Sequence, residues 1–220
     1  PIFWGPPLIP NPQPPTSYNP FKGLEAFQQT DAHFFFGREK MIQRSLARMQ
    51  ETRFLALVGA SGSGKSSLVR AGIMPALRNG QIPNSNTWRT AIMTPGPKPL
   101  EALVTRIMPY LQEDDTRTIE RVIRNVQEPE IVRQYIDDIL EGTPRDSRLL
   151  LVIDQFEEVF TRASAGEAKP FIEALVKAVK AVDIRLQVII TMRADFFGHL
   201  SRYPELAQLF EQQNMIIVTD

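Results

Sequence analysis

The sequence has 220 residues, 25 basic against 25 acidic, and no cysteine. A chain of that length buries a substantial core in one domain, and its cancelled charge gives no general attraction for nucleic acid or an anionic membrane. The missing thiols exclude disulfides, thiolate catalysis and Cys-based zinc sites together and suit a reducing, cytoplasmic setting, while the longest apolar runs fall well short of the roughly 20 residues of a membrane helix.

Residues 1–20 hold eight prolines, too many fixed φ angles and too few backbone donors for a helix or a central strand. They read as an extended linker, either a tether to an upstream domain or a segment wrapped over the surface and anchored by Phe3 and Trp4. The prolines also rule out a signal peptide. A chain opening on proline rather than methionine reads as a piece of a longer protein. A globular pattern, the expected core domain of residues 21–220, begins at Phe21. Phe34, Phe35, Phe36, Gly37, Arg38 and Glu39 are candidates for the wall of a base pocket, or else an aromatic core run. His33 and His199 stand alone and read as structural.

Residues 38–50 place Met41, Ile42, Leu46 and Met49 on one helical face. The apolar run Phe54, Leu55, Ala56, Leu57, Val58 predicts a buried strand and leads into Gly59, Ala60, Ser61, Gly62, Ser63, Gly64, Lys65 and Ser66, the full GxxxxGKS pattern of a phosphate-binding loop. A helix should follow, with Leu68, Val69, Gly72 and Ile73 on its inner face, a kink or end near Pro75 and a stop at Asn79-Gly80.

A second strand is expected over residues 88–93, before the breakers Pro95, Gly96 and Pro97. Three amphipathic patterns then run from Leu100 to Leu111, around Val122, and from Ile131 to Ile139. Leu149, Leu150, Leu151, Val152 and Ile153 form a continuous apolar run of the kind found in buried parallel strands. Phe171, Ile172, Leu175, Val176 and Val179 mark another helix, and residues 186–190 and 215–218 supply two short strands. Five strands separated by helices predict a parallel sheet covered on both faces, a three-layer α/β domain.

The phosphate loop assigns chemistry to its neighbours. Its amides, with Ser67 at the helix start, are placed to cradle phosphate oxygens, Lys65 to reach the β- and γ-phosphates, and the Ser66 hydroxyl to ligate Mg²⁺. The metal needs a carboxylate at the end of another strand, and Asp154 closes the Leu149 run in the Walker B pattern; its bland alternative is a helix cap. Hydrolysis needs a group that orients or deprotonates water. Glu158 is the first candidate and Glu157 the second, with solvated first-turn residues as the alternative. Arg193, where the fourth-strand run Ile189-Ile190-Thr191-Met192-Arg193 ends, suits γ-phosphate sensing or stabilisation, against a plain salt bridge to Asp195 or a nearby glutamate.

Together these residues resemble the STAND class of P-loop ATPases, the signal-transduction ATPases with numerous domains, and most closely its novel STAND branch, related to the NACHT ATPases. The resemblance runs from about Tyr18 onward. It rests on Asn19-Pro-Phe-Lys-Gly-Leu24, Phe34-Phe-Phe-Gly-Arg-Glu39, residues 59–77, Asp154-Gln-Phe-Glu-Glu158 and Thr191-Met-Arg-Ala-Asp-Phe196. Many P-loop ATPases carry a catalytic glutamate directly after the Walker B aspartate, where this chain has Gln155. The resemblance implies a five-stranded core with the P-loop strand beside the Arg193 strand. It further implies a switch controlled by ATP and Mg²⁺, linked to effector and sensor domains of the same longer chain and to self-association on activation; the balanced charge and short apolar runs add no membrane and give no indication of nucleic acid as partner. Slow hydrolysis would reset such a switch. The alternative is a scaffold domain that binds nucleotide without hydrolysing it.

Overall fold

A computed structural model describes residues 37–111, 118–211 and 214–219. The proline-rich segment and the aromatic run at 34–36 lie outside them. Five parallel strands form one sheet: β1 (Phe54–Gly59), β2 (Arg89–Met93), β3 (Leu149–Ile153), β4 (Leu186–Arg193) and β5 (Met215–Ile217), in the spatial order β2-β3-β4-β1-β5. β1, β3 and nearly all of β4 are buried along their length, which is why they read as unbroken apolar runs rather than alternating ones.

Alternation reappears in the packing. Phe54, Ala56 and Val58 of β1 join Leu149, Leu151, Ile153, Val188 and Ile190 on one face, whereas Leu55 and Leu57 join Leu150, Val152 and Ile189 on the other. The first face is covered by α4 (Pro99–Ile107), α5 (Ile119–Asn125), α6 (Pro129–Ile139), the short α7 (Glu158–Thr161), α8 (Ala165–Lys180) and α9 (Pro204–Glu211). The second is covered by α1 (Glu39–Glu51) and by the helix that leaves the phosphate loop. The expected three-layer α/β domain is the observed one. Among the described residues no helix is long and apolar enough to cross a membrane.

Three local expectations are sharpened. Of the kink or end expected near Pro75 the helix does not end: α2 (Lys65–Ser67) passes into a π-helical stretch, Leu68–Ile73, and then into α3 (Met74–Arg78). The Met74 N–H reaches back to the Val69 carbonyl. That wider turn absorbs Pro75, whose missing donor and bulky ring a regular α-turn would not tolerate. The chain then stops at Asn79-Gly80, with Gly80 at φ +73°. The fourth strand runs three residues further than its apolar core, to Arg193, so Arg193 lies in register with Gly59. The first pattern after β2 is also shorter than read, α4 ending at Ile107 before a 3₁₀ turn over Met108–Tyr110.

Candidate functional site

β1 delivers the phosphate loop at the carboxyl end of the sheet. Gly62 and Gly64 sit at φ +80° and +81°, in the left-handed region where a side chain is strained. Gly59 is needed for a different reason: a Cβ there would fall 2.3 Å from the Val218 carbonyl oxygen and 2.8 Å from Ser63 Oγ. Ala60, Ser61 and Gly62 are exposed at the loop's crest, and Ser63, Lys65 and Ser67 are buried beneath it.

The Lys65 ammonium folds back into this loop. It donates to the Gly59 carbonyl at 3.0 Å, the Ala60 carbonyl at 2.5 Å and Ser63 Oγ at 3.4 Å. Burial pulls its pKa below the ordinary lysine value; Glu157, Asp154 and Asp195 draw it back up, and Arg193 adds to the lowering. Lys65 therefore holds a charge against a desolvation cost with only neutral direct partners, as a cation awaiting an anion does.

Asp154 is buried at the end of β3. Its Oδ1 accepts from Ser66 Oγ at 2.6 Å and from Thr191 Oγ1 at 2.6 Å, and its Oδ2 accepts from Arg70 at 3.1 Å. Thr191 also accepts from the Gln155 N–H at 2.9 Å, so one hydroxyl orients the carboxylate and the turn that follows it. Gln155 itself is exposed at φ +57°.

The two glutamates diverge. Glu158 turns to the loop after β2, accepting from the Gly96 N–H at 3.1 Å and from Arg162 at 3.2 Å. Glu157 accepts from the Arg193 N–H at 3.3 Å and is the foremost charge acting on Lys65. The Arg193 side chain forks onto Asp195 at 2.6 and 3.1 Å and lies 5.3 Å from the Phe196 ring centre. Asp195 raises the Arg193 pKa and is itself lowered by it. Arg38 bridges two segments remote from it in sequence, donating to the Thr219 carbonyl and, at 3.4 Å, to the Ser63 carbonyl.

Lys65, Ser66, Asp154, Glu157 and Arg193 thus converge at the carboxyl ends of β1, β3 and β4, and Arg38 reaches the same loop. Glu158 stands to one side. Arg70 and Thr191 were not among the expected site residues. Thr191 had a readable signal, as a hydroxyl interrupting an apolar strand two residues before its end. Arg70 had a weaker one, four residues after Ser66 on the same helix.

A hydroxyl and a carboxylate 2.6 Å apart are hard oxygen donors of the kind Mg²⁺ selects, and a glycine-lined turn whose lysine has no carboxylate partner among the described residues fits a polyphosphate. The residues present therefore suit both groups. The family model described as Novel STAND NTPase 1 matches residues 20–220. No curated protein matches the chain. Among solved structures, the Walker-type ATPase paby2304 of Pyrococcus abyssi is similar with a TM-score of 0.58 at 13% identity, over 91% of this chain and 57% of that one. The Aeropyrum pernix ORC2 protein, solved as ADPNP-ADP complexes, is similar with a TM-score of 0.51 at 12% identity, over 83% of this chain and 47% of that one. The chain thus corresponds to about half the length of either structure, and the likeness is one of fold.

Proposed function

The chain belongs to the novel STAND NTPase family, and from that premise we propose that it is an ATP-binding, slowly hydrolysing switch domain that controls an attached effector or its own assembly in the cytoplasm. The observation that carries the reading is the convergence of Lys65, the Ser66–Asp154 pair and Arg193 around one glycine-lined loop. In this reading the amides of residues 60–67 and the Lys65 ammonium bind the β- and γ-phosphates, displacing Lys65 from its loop carbonyls. Ser66 and Asp154 hold Mg²⁺, with Thr191 fixing the carboxylate. When bound, the metal neutralises charge shared between the β- and γ-phosphate oxygens. Arg193 meets charge developing on the γ-phosphate. Glu157, beside Lys65 and the end of β4, is the better placed water-orienting group; Glu158, tied to Gly96 and Arg162, holds the loop after β2.

Lys65→Ala is expected to abolish ATP binding measured by calorimetry, and wild-type affinity in that variant would sink the site. Glu157→Gln should keep ATP affinity and lose about 10²- to 10⁴-fold in turnover, with a smaller loss for Glu158→Gln. Unchanged turnover in the first removes Glu157 as the water-orienting group. The second reading, a nucleotide-binding scaffold without hydrolysis, draws on Gln155, an amide where a carboxylate base commonly stands, and on the engaged Glu158. ATP that raises the melting temperature with no phosphate release from wild-type protein would favour it.

A further inference from the structure

The carboxyl ends of the strands build the site above; their amino ends gather arginine. β3, β4 and β1 lie side by side, and each is immediately preceded by one: Arg148 before Leu149, Arg185 before Leu186, Arg53 before Phe54. By register Arg148 stands beside Arg185, and Arg53 beside Gln187, two residues further along β4; with neighbouring strands about 4.8 Å apart, the sheet gathers the three stems at this end. With Arg145 and Trp88 they line a cleft of about 550 Å³, inside the roughly 300–1,000 Å³ typical of small-molecule sites. The length of β4 separates this cleft from Arg193 by roughly 23 Å at about 3.3 Å per residue.

The cleft does not neutralise its own charge. Arg185 pairs with Asp137 at 2.9 Å. Arg53 donates to the Ala181 carbonyl at 2.5 Å, and Arg148 to the Gln187 amide oxygen at 2.9 Å and the Met49 carbonyl at 3.4 Å, all uncharged acceptors. Among the described residues neither these two nor the exposed Arg145 makes an ion pair, and Asp146 and Asp183 at the rim make none either. Arg148 lies 5.3 Å from the Trp88 ring centre. Burial, and after it the like charge of Arg53, pushes the Arg148 guanidinium below its ordinary pKa, with Asp146 drawing it partly back up. The Trp88 indole N–H is buried without an acceptor among the described residues. Half-burying one unpaired guanidinium near another costs free energy that an incoming anion returns.

We propose that this cleft binds the phosphoryl group of a small molecule, independently of the nucleotide site. Arginine's planar fork matches phosphate oxygens, and a phosphoryl group presents three terminal oxygens to Arg53, Arg145 and Arg148, where a carboxylate presents two. Free phosphate and a phosphorylated metabolite offer the same group.

The test uses the 220-residue chain carrying Trp4→Phe and Lys65→Ala, which leaves Trp88 as the one tryptophan and disables the phosphate loop. Inorganic phosphate and glycerol 3-phosphate are titrated separately, with sodium chloride at matched ionic strength as control. The expected result is a saturable change in Trp88 emission with at least one phosphate probe and none with chloride. Arg145→Glu, at an exposed position that leaves the fold intact, should weaken binding at least tenfold, and Arg148→Met should abolish it. Tighter binding of glycerol 3-phosphate assigns the site to a phosphorylated metabolite, and the reverse order assigns it to the free ion. No saturable change, an equal response to chloride, or parental affinity in Arg145→Glu overturns the proposal.

Discussion

Gly59 has room for a hydrogen and nothing more. The Val218 carbonyl oxygen sits 2.3 Å from where a Cβ would stand, and backbone does not yield as a side-chain tip does. Gly59→Ala should therefore cost about 1–3 kcal/mol by overcrowding, read as a fall in the denaturation midpoint, and weaken ATP binding by deforming the loop. Lys65 makes the opposite prediction for stability. Its pKa in the folded chain lies below the ordinary lysine value because of burial. Between those two values the unfolded chain binds more protons than the folded one, so stability rises with pH across that window, and at neutral pH the charged lysine is a net cost. Lys65→Met is expected to match or exceed wild type in melting temperature at pH 7.5 while losing ATP, with its advantage shrinking as pH climbs toward 10; a clear loss of stability at pH 7.5 would contradict this. The loop and Asp154 were legible in the sequence because both are local: a fixed spacing, and an apolar run that ends in a carboxylate. Arg70 and Thr191 were not, because their roles exist only once β4 and the loop helix flank Asp154. The placement of Glu157 and Glu158 was hidden for the same reason, since adjacent residues on a turn face different neighbours.

At the scale of elements, the π-helical stretch Leu68–Ile73 joins a backbone irregularity to the site. Pro75 lacks the donor a regular turn would use, the turn widens, and Arg70 within it reaches Asp154 at 3.1 Å. Pro75→Ala restores that donor and should let the segment tighten. A double-mutant cycle checks the link: the coupling between Arg70→Ala and Asp154→Asn should be about 1–2 kcal/mol with Pro75 present and markedly smaller in the Pro75→Ala background. Equal coupling in both would separate the proline from the ion pair. Strand and helix positions were readable here because parallel strands buried on both faces stand out as continuous apolar runs, while the helices that cover them keep a period of 3.6. The π-turn was not, because Pro75 in a helical pattern reads equally as a stop.

At the scale of the whole molecule, helices on both faces fix the sheet, and the groups proposed to hold the ligand stand at the ends of three of its strands. Nucleotide should therefore stabilise the domain globally rather than one loop. At a hundred times Kd, bound ATP adds about 2.7 kcal/mol to unfolding, expected as a concentration-dependent rise in melting temperature for wild type and none for Lys65→Ala. β5 gives this dependence a direction in time. It pairs with β1 through Met215, Ile216 and Ile217, and the residues just beyond it, Val218 and Thr219, press on Gly59 and receive Arg38. During synthesis the phosphate loop leaves the ribosome long before these partners do. Domains fold as units, and distant pairings close late. A nascent chain halted anywhere short of β5 thus carries the whole GxxxxGKS sequence with one flank of the loop unbuilt, and ripening of the nucleotide pocket falls due only when β5 zips in.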